Sequence, residues 1–354
     1  MTIETAAQPD TELMVDVALR TFFLSRIARA ERLGPEYLAL WKQAERLSQG
    51  GKRFRPTLVL QAYRAFGGTD DYLAAQLGAA FEILHTAFLI HDDVIDGDDL
   101  RRGHPTVSGG SAETARLAGL SGPAATTWAQ ASGILAGDLL LIGAQGIVAG
   151  LPVDTDRRLR LLDLFDESVL VTAAGELADV ALSVRLRGGD IDEALAMTER
   201  KTAVYSFEAP LVAGAILAGA SRAEEEVLSA YGRTIGTAFQ LRDDLLGVFG
   251  DEGTTGKSVI GDLREGKTTP LVAFARTTIH ASDIDSLLGR PDLTEAEAER
   301  LRQLLTDCGA RDRVEKLIDE LTNRATTLVR DAGLGDHFTA ELIDLAAKLH
   351  GRSR

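Results

Sequence analysis

The residues with the clearest chemical potential are acidic and grouped. His91-Asp92-Asp93-Val94-Ile95-Asp96 follows an apolar stretch, Phe81 to Ile90, and leads into Gly97-Asp98-Asp99-Leu100-Arg101-Arg102-Gly103. A helix through this stretch places Asp92 and Asp96 on one face, about one turn or ~6 Å apart. Two carboxylates ~4 Å apart repel by about 4 kcal/mol at an effective dielectric near 20, so something cationic must compensate. Oxygen donors with open positions suit Mg²⁺, which is shared between one or two carboxylates and substrate phosphates. A lone Asp-Asp pair is ordinarily the solvated end of a helix. A second pair weakens that reading: Phe239-Gln240-Leu241-Arg242-Asp243-Asp244-Leu245-Leu246-Gly247 delivers it from another apolar helix. Two such helices could clamp Mg²⁺ ions on a diphosphate.

Cations recur at loop positions: Lys52, Arg53 and Arg55 in Gly51-Lys52-Arg53-Phe54-Arg55-Pro56, then Arg101, Arg102, Lys201, Lys257 and Lys267. Each alone reads as solvated surface charge. As a set in an acidic chain, they point to a multiply charged phosphate ligand, held by forked Arg donors and Lys point charges.

The elements that must position these groups are helices. Apolar residues recur at helical spacing, no window alternates convincingly with the two-residue period of a strand, and the fold class is all-α. The main helices are expected over 12–32, 36–48, 71–97, 123–149, 155–186, 200–219, 222–249, 293–307 and 311–331. Breaks are expected at Gly50-Gly51, Gly67-Gly68, Gly109-Gly110, Gly188-Gly189 and Gly250 to Gly256. None resembles a linker, so residues 1–354 read as one domain with a mobile tail up to about Asp10. Leu211 to Ala220, with Gly214 and Gly219 among Ala and Leu, predicts a buried helix packed closely on its neighbours.

Composition sets the outer limits. The chain has 354 residues, 45% hydrophobic and 26% charged, which predicts a folded body with a sizeable core. A net charge of -15 repels phosphate backbones and excludes nucleic acid as a partner. The single cysteine, Cys308, makes neither an internal disulfide nor a zinc cluster, and the first ten residues lack a secretory layout. Both suggest a cytoplasmic protein. The longest apolar tracts, such as Ala209 to Ala220, fall short of the ~20 residues of a membrane span, so none is expected. Gly253-Thr254-Thr255-Gly256-Lys257-Ser258 is not a P-loop, because Asp251 stands where that motif needs its first glycine and no strand precedes it.

In order and spacing, these pieces resemble the trans-isoprenyl diphosphate synthases, and most of all a bacterial geranylgeranyl diphosphate synthase. The resemblance runs from Gly50 to Lys267. It is carried by Gly51 to Pro56, by Asp92 to Asp96 with Leu100-Arg101-Arg102-Gly103-His104-Pro105-Thr106, by Lys201-Thr202, and by Gly236-Thr237-Ala238-Phe239-Gln240-Leu241-Arg242-Asp243-Asp244. It implies a single helical bundle of the isoprenoid synthase type around a central apolar cavity, a homodimer, and condensation of isopentenyl diphosphate with an allylic diphosphate. By the same resemblance Asp92, Asp96 and Asp243 bind Mg²⁺, as a set of three ions, with Asp93 and Asp244 in support. Arg101, Lys201, Thr202, Gln240, Lys257 and Lys267 hold the allylic diphosphate; Lys52, Arg55, His85 and Arg102 hold isopentenyl diphosphate. Asp92, Asp96, Lys201 and Asp243 would then carry catalysis. Product length would be set by Leu84, Ala87 and Phe88, and Phe88, one turn before Asp92, points to geranylgeranyl rather than farnesyl diphosphate.

Rival readings within the resemblance are a farnesyl or longer-chain synthase, a terpene synthase and a non-catalytic regulatory subunit. A cyclase has no second diphosphate for Lys52, Arg55 and His85 to hold, and the intact first motif disfavours a regulatory subunit. Two departures stand out. Gly247 occupies the place of the third Asp usual in the second motif, with Asp251 a candidate replacement. Glu176, in Gly175-Glu176-Leu177-Ala178-Asp179, stands where the family usually has Gln.

Overall fold

Leu, Ala, Arg and Glu fill the periodic stretches, and these are strong helix formers. In the computed structural model, which describes residues 9–101, 103–186, 188–250 and 260–350, those stretches are helical. The order begins α1 (Pro9–Ala30), α2 (Pro35–Ser48), α3 (Phe54–Ala65) and α4 (Asp71–Asp96). After a two-residue antiparallel ladder, β1 (Leu100–Arg101) with β2 (His104–Pro105), come α5 (Val107–Leu117), α6 (Pro123–Ala149), α7 (Thr155–Ser183) and α8 (Ile191–Thr198). A π-helical segment, Glu199–Glu208, runs into α9 (Ala209–Ala218), which is followed by α10 (Arg222–Phe249). The remainder is α11 (Gly261–Glu265), α12 (Pro270–Arg276), α13 (Ala281–Leu287), α14 (Glu295–Asp307), α15 (Ala310–Asp331) and α16 (Asp336–His350).

The all-α expectation holds, with that short ladder as the strand content of the described residues. The long helices end within a few residues of their predicted limits. Those the periodicity passes over include α8, α11, α12 and α13, eight residues or fewer and too short to display an amphipathic repeat, and also the longer α3, α5 and α16. Gly109-Gly110 is corrected from a break to the first turn of α5: a side chain at Gly109 would strike the Asp99 carbonyl, so glycine serves close approach there. Pro9 and Asp10 already belong to α1, and the rest of the expected tail lies outside the described residues.

Two compact units divide the chain. One runs to Asp163 and takes back Ala213–Gly219; the other holds Leu164–Val212 and the chain from Ala220 onward. In the first, α4 lies against α1, α3 and α6 and is buried almost continuously from Ala74 to Ile90. Glu82, a buried acid midway along it, is answered by Arg53 at 3.4 Å. Arg53 also donates to the Ser48 carbonyl and to Asp16 Oδ1, both at 2.9 Å. Two glycines one turn apart on α6 receive the end of α4: a side chain at Gly133 would collide with Val94, and one at Gly137 with His91. The buried helix expected around Leu211 is α9, where Gly214 lies against the backbone of Val59 in α3.

The other unit is built on α10, which starts with a reciprocal Ser221/Glu224 cap and packs on the π-helix and α15. Leu241, Leu245, Ile284, Leu301 and Ile318 share its core. The Tyr231 hydroxyl, buried in α10, donates to the Leu342 carbonyl at 2.7 Å. At Gly232 and Gly236 the π-helix backbone comes so near that a methyl group on Gly236 would stand 2.6 Å from Ala203 Cβ.

The membrane expectation needs one correction. By length and composition, α4 and α6 are both apolar enough to cross a bilayer; they escape notice as tracts because small and polar residues interrupt them. In α4 the apolar window is 72% buried inside the protein. Gly236→Val should destabilise the chain by about 1–3 kcal/mol through overpacking, read as a lower denaturant midpoint with an unchanged slope.

Candidate active site

The first acidic group closes α4. Asp96 is the last helical residue, Gly97 ends the helix in the left-handed region at φ 73°, and Asp92 and Asp96 are both half-buried. Asp93 is buried and points to Arg101, whose Nε donates to Asp93 Oδ1 at 2.6 Å while its other arm reaches Asp92 Oδ2 at 3.3 Å. Burial pushes the Asp93 carboxyl up to about 6, against the pull of the guanidinium. Local backbone chemistry places Arg101. The ladder turns the chain back, Thr106 N donates to the Asp99 carbonyl at 3.0 Å, and the Thr106 hydroxyl both caps α5 at Gly109 N and donates to the Asp98 carbonyl.

Along α4, Leu84 and Ala87 are fully buried, whereas His85 and Phe88 are half-buried. The cations before α3 divide their duties. Arg53 is drawn into the structural bonds to Asp16, Ser48 and Glu82, whereas Lys52 and Arg55 are half-buried.

The second acidic group lies on α10 in the other unit. Gln240 donates its amide to Asp244 Oδ1 at 2.8 Å, one turn along the helix. The Asp244 carboxyl is nevertheless pushed up to about 8, first by burial and then by the charges of Asp243, Asp262 and Asp179. Lys201, on the π-helix beside Thr202, donates to Asp179 Oδ2 at 2.6 Å and pairs with Glu176 Oε2 at 2.9 Å. Lys267 pairs with Glu265 at 2.8 Å at the end of α11. Arg102, Lys257 and Asp251 lie outside the described residues.

Asp262 and Asp179 are absent from the sequence-based site, yet the structure brings both to the second group. Gly247 lies one turn after Asp243, and a side chain there would collide with Asp262 Oδ2. A carboxylate from α11 therefore occupies the space above α10 that a residue-247 side chain would fill. The signal was present in Gly261-Asp262-Leu263-Arg264-Glu265-Gly266-Lys267, an acid in the turn before an expected phosphate-binding lysine. Asp179 was legible as the acid three positions after Glu176, on the same helix face.

The donor set suits a divalent cation. The carboxylates of Asp179, Asp243 and Asp262 all press on that of Asp244, and a hard cation beside Asp244 would relieve that repulsion. Among the described residues no group of three or more His, Cys, Asp or Glu side chains is arranged to hold a metal alone.

The profile of the polyprenyl synthetase family matches residues 40–305. A geranylfarnesyl diphosphate synthase from Aeropyrum pernix is 33% identical over 303 residues, 84% of this chain and 89% of that protein. A (2E,6E)-farnesyl diphosphate synthase from Mycobacterium tuberculosis is 34% identical over 304 residues, 84% of this chain and 78% of its own. The crystal structure of a Corynebacterium glutamicum geranylgeranyl pyrophosphate synthase, complexed with isoprenyl diphosphate and magnesium, superposes with a TM-score of 0.88. Identity there is 29%, over 97% of this chain and 98% of that one. With the acidic helix ends, their Arg and Lys partners and the helical fold agreeing with these matches, the chain belongs to the polyprenyl synthetase family of trans-prenyl diphosphate synthases.

Proposed function

We propose that the chain condenses isopentenyl diphosphate with an allylic diphosphate to form geranylgeranyl diphosphate. The observation that carries this reading is the combination of two acidic helix segments, each with a basic side chain bonded to it or beside it. Arg101 lies on Asp92 and Asp93, while Lys201 lies on Asp179, whose charge reaches Asp244.

In this reading Asp92, Asp96 and Asp243 hold Mg²⁺, and Asp244 and Asp262 support them. Asp93 contributes by seating Arg101. Arg101, Lys201, Thr202, Gln240 and Lys267 bind the allylic diphosphate, with Lys257. Lys52, Arg55 and His85, with Arg102, bind isopentenyl diphosphate. When bound, Mg²⁺ supplies Lewis-acid stabilisation of the departing pyrophosphate. The guanidinium and ammonium groups add fixed positive charge where negative charge develops. The allylic carbon-oxygen bond breaks, the isopentenyl double bond attacks the allylic cation, and the new cation loses a proton to the departed pyrophosphate, so no protein nucleophile is needed and apolar walls must keep water out.

Product length rests on Phe88, a half-buried ring one turn before Asp92 above the fully buried Ala87 and Leu84. The relatives carry names of different chain lengths, so the geranylgeranyl assignment is drawn from this ring. A homodimer is supported by α6, whose Ile134, Leu135 and Ile142 are exposed, a large apolar surface for a helix in water. The lone, half-buried Cys308 supports a cytoplasmic setting.

The test is incubation of purified protein with Mg²⁺, isopentenyl diphosphate and allylic primers of increasing length. Chromatography should show elongation to the twenty-carbon product, and absence of elongation with every primer would refute the reading. Asp92→Ala should lower turnover by about 10³-fold or more, the scale of several kcal/mol of metal-assisted charge stabilisation, with an unchanged circular dichroism spectrum. Phe88→Ala should shift the product to longer chains. Gly247→Ala, by displacing the Asp262 carboxylate, should raise the Mg²⁺ concentration needed for half-maximal rate several-fold, by about 1 kcal/mol.

A further inference from the structure

The π-helix Glu199–Glu208 carries Lys201 and Thr202 and packs on α10. Its backbone bonds span five residues, as where Ala209 N donates to the Val204 carbonyl. An α-helix turns about 100° per residue, whereas the π geometry, with roughly 4.4 residues per turn, turns about 82°. Residues nine apart, as Glu199 and Glu208 are, therefore share a face in the π register and would lie on opposite faces of an α-helix.

One guanidinium uses that shared face. Arg233 of α10 places Nε 2.8 Å from Glu208 Oε2 and Nη1 3.5 Å from Glu199 Oε1, so it joins the last residue of the π-helix to the first. Glu208 is sealed, with a side chain 8% exposed, and its other oxygen accepts from the Ser229 hydroxyl at 2.6 Å. Glu199 and Arg233 are open, at 41% and 43%. The fork matters, because a guanidinium presents donors to two carboxylates at once where an ammonium is a single point charge.

Packing follows the same register. A methyl group on Gly232 would stand 2.5 Å from Glu208 Cα, and one on Gly236, one α turn along, 2.6 Å from Ala203 Cβ. Ala203 and Glu208 are five apart, so one turn of α10 lies against one π turn; in an α-helix those two positions would point about 140° apart. Lys201 and Thr202 lie between these glycine contacts and Glu199, and the Arg233–Glu199 arm encloses them from the other side. If the segment rewound as an α-helix from Glu208, Lys201 would swing by about a third of a turn, away from the Asp179 and Glu176 carboxylates that it meets.

Resting on the diphosphate-binding role of Lys201 and Thr202, we propose that Arg233 is a positioning residue: by clamping Glu199 and Glu208 it holds this segment in the π register and so sets where Lys201 and Thr202 stand for the allylic substrate.

Hydrogen exchange read by mass spectrometry, together with steady-state kinetics, tests this on the full chain as wild type, Glu199→Gln, Arg233→Lys and the double variant. Glu199 is open, so its change releases the clamp without leaving a lone buried charge, and Arg233→Lys keeps a cation beside Glu208 while giving up the fork. Each single variant should exchange the amides of 199–209 about threefold faster than wild type, the scale of one partly exposed ion pair, with α10 unchanged. The KM for the allylic diphosphate should rise about threefold in both while that for isopentenyl diphosphate holds, a split that a general loss of stability would not produce. The double variant should match the singles, because both remove the same contact. Unchanged exchange over 199–209, an increase spread equally over α10, an unchanged allylic KM, or additive effects in the double variant would each overturn the proposal. A wild-type chain that elongates no primer would overturn the functional reading alone, and the exchange rates would then decide the clamp.

Discussion

Carboxylates that cannot move away from one another set the terms for this protein. Asp92, Asp93 and Asp96 are carried on one largely buried helix, and Asp243 and Asp244 on another, so their repulsion cannot relax by side-chain dispersal into water. The chain answers part of it. Arg101 reaches Asp92 and Asp93, Lys201 reaches Glu176 and Asp179, and Gln240 gives Asp244 one neutral hydrogen bond. Burial nevertheless pushes the carboxyls of Asp93 and Asp244 well above the usual range.

Holding such groups in place demands helices that approach more closely than ordinary side chains permit. Gly133 and Gly137 take His91 and Val94 against α6, Gly232 and Gly236 take the π-helix against α10, and Gly175 takes the Lys201 backbone against α7. Gly247 extends the same logic to the second acidic group, where the missing side chain is the condition for Asp262 to stand there. A departure from the family pattern in sequence thus becomes, in three dimensions, a carboxylate delivered from a different element.

Much of the fold was legible because long helices write a strong period into the chain. The limits of α4, α6 and α10 could be read to within a residue, as could the two acidic groups that end or ride on them. The short helices α8, α11, α12 and α13 could not, since fewer than three turns leave no repeat to detect. Apolar tract length also misjudged α4 and α6, where glycine, alanine and isolated polar residues hide a helix as apolar as a membrane span.

What the sequence by itself determined is the chemistry on offer: which acids and bases exist, their grouping by helical period, and the family to which their order belongs. Residue type and spacing decide those things, and both are local. Only tertiary structure decided how the offers were divided. It sent Arg53 to the interior with Glu82 while leaving Lys52 and Arg55 half-buried, and gave Asp93 to Arg101. It brought Asp262 to the space above Gly247 and set Glu176 on Lys201. These pairings join residues tens of positions apart or on different elements. Their partners are chosen by helix packing distance, a quantity that no local pattern of residues records.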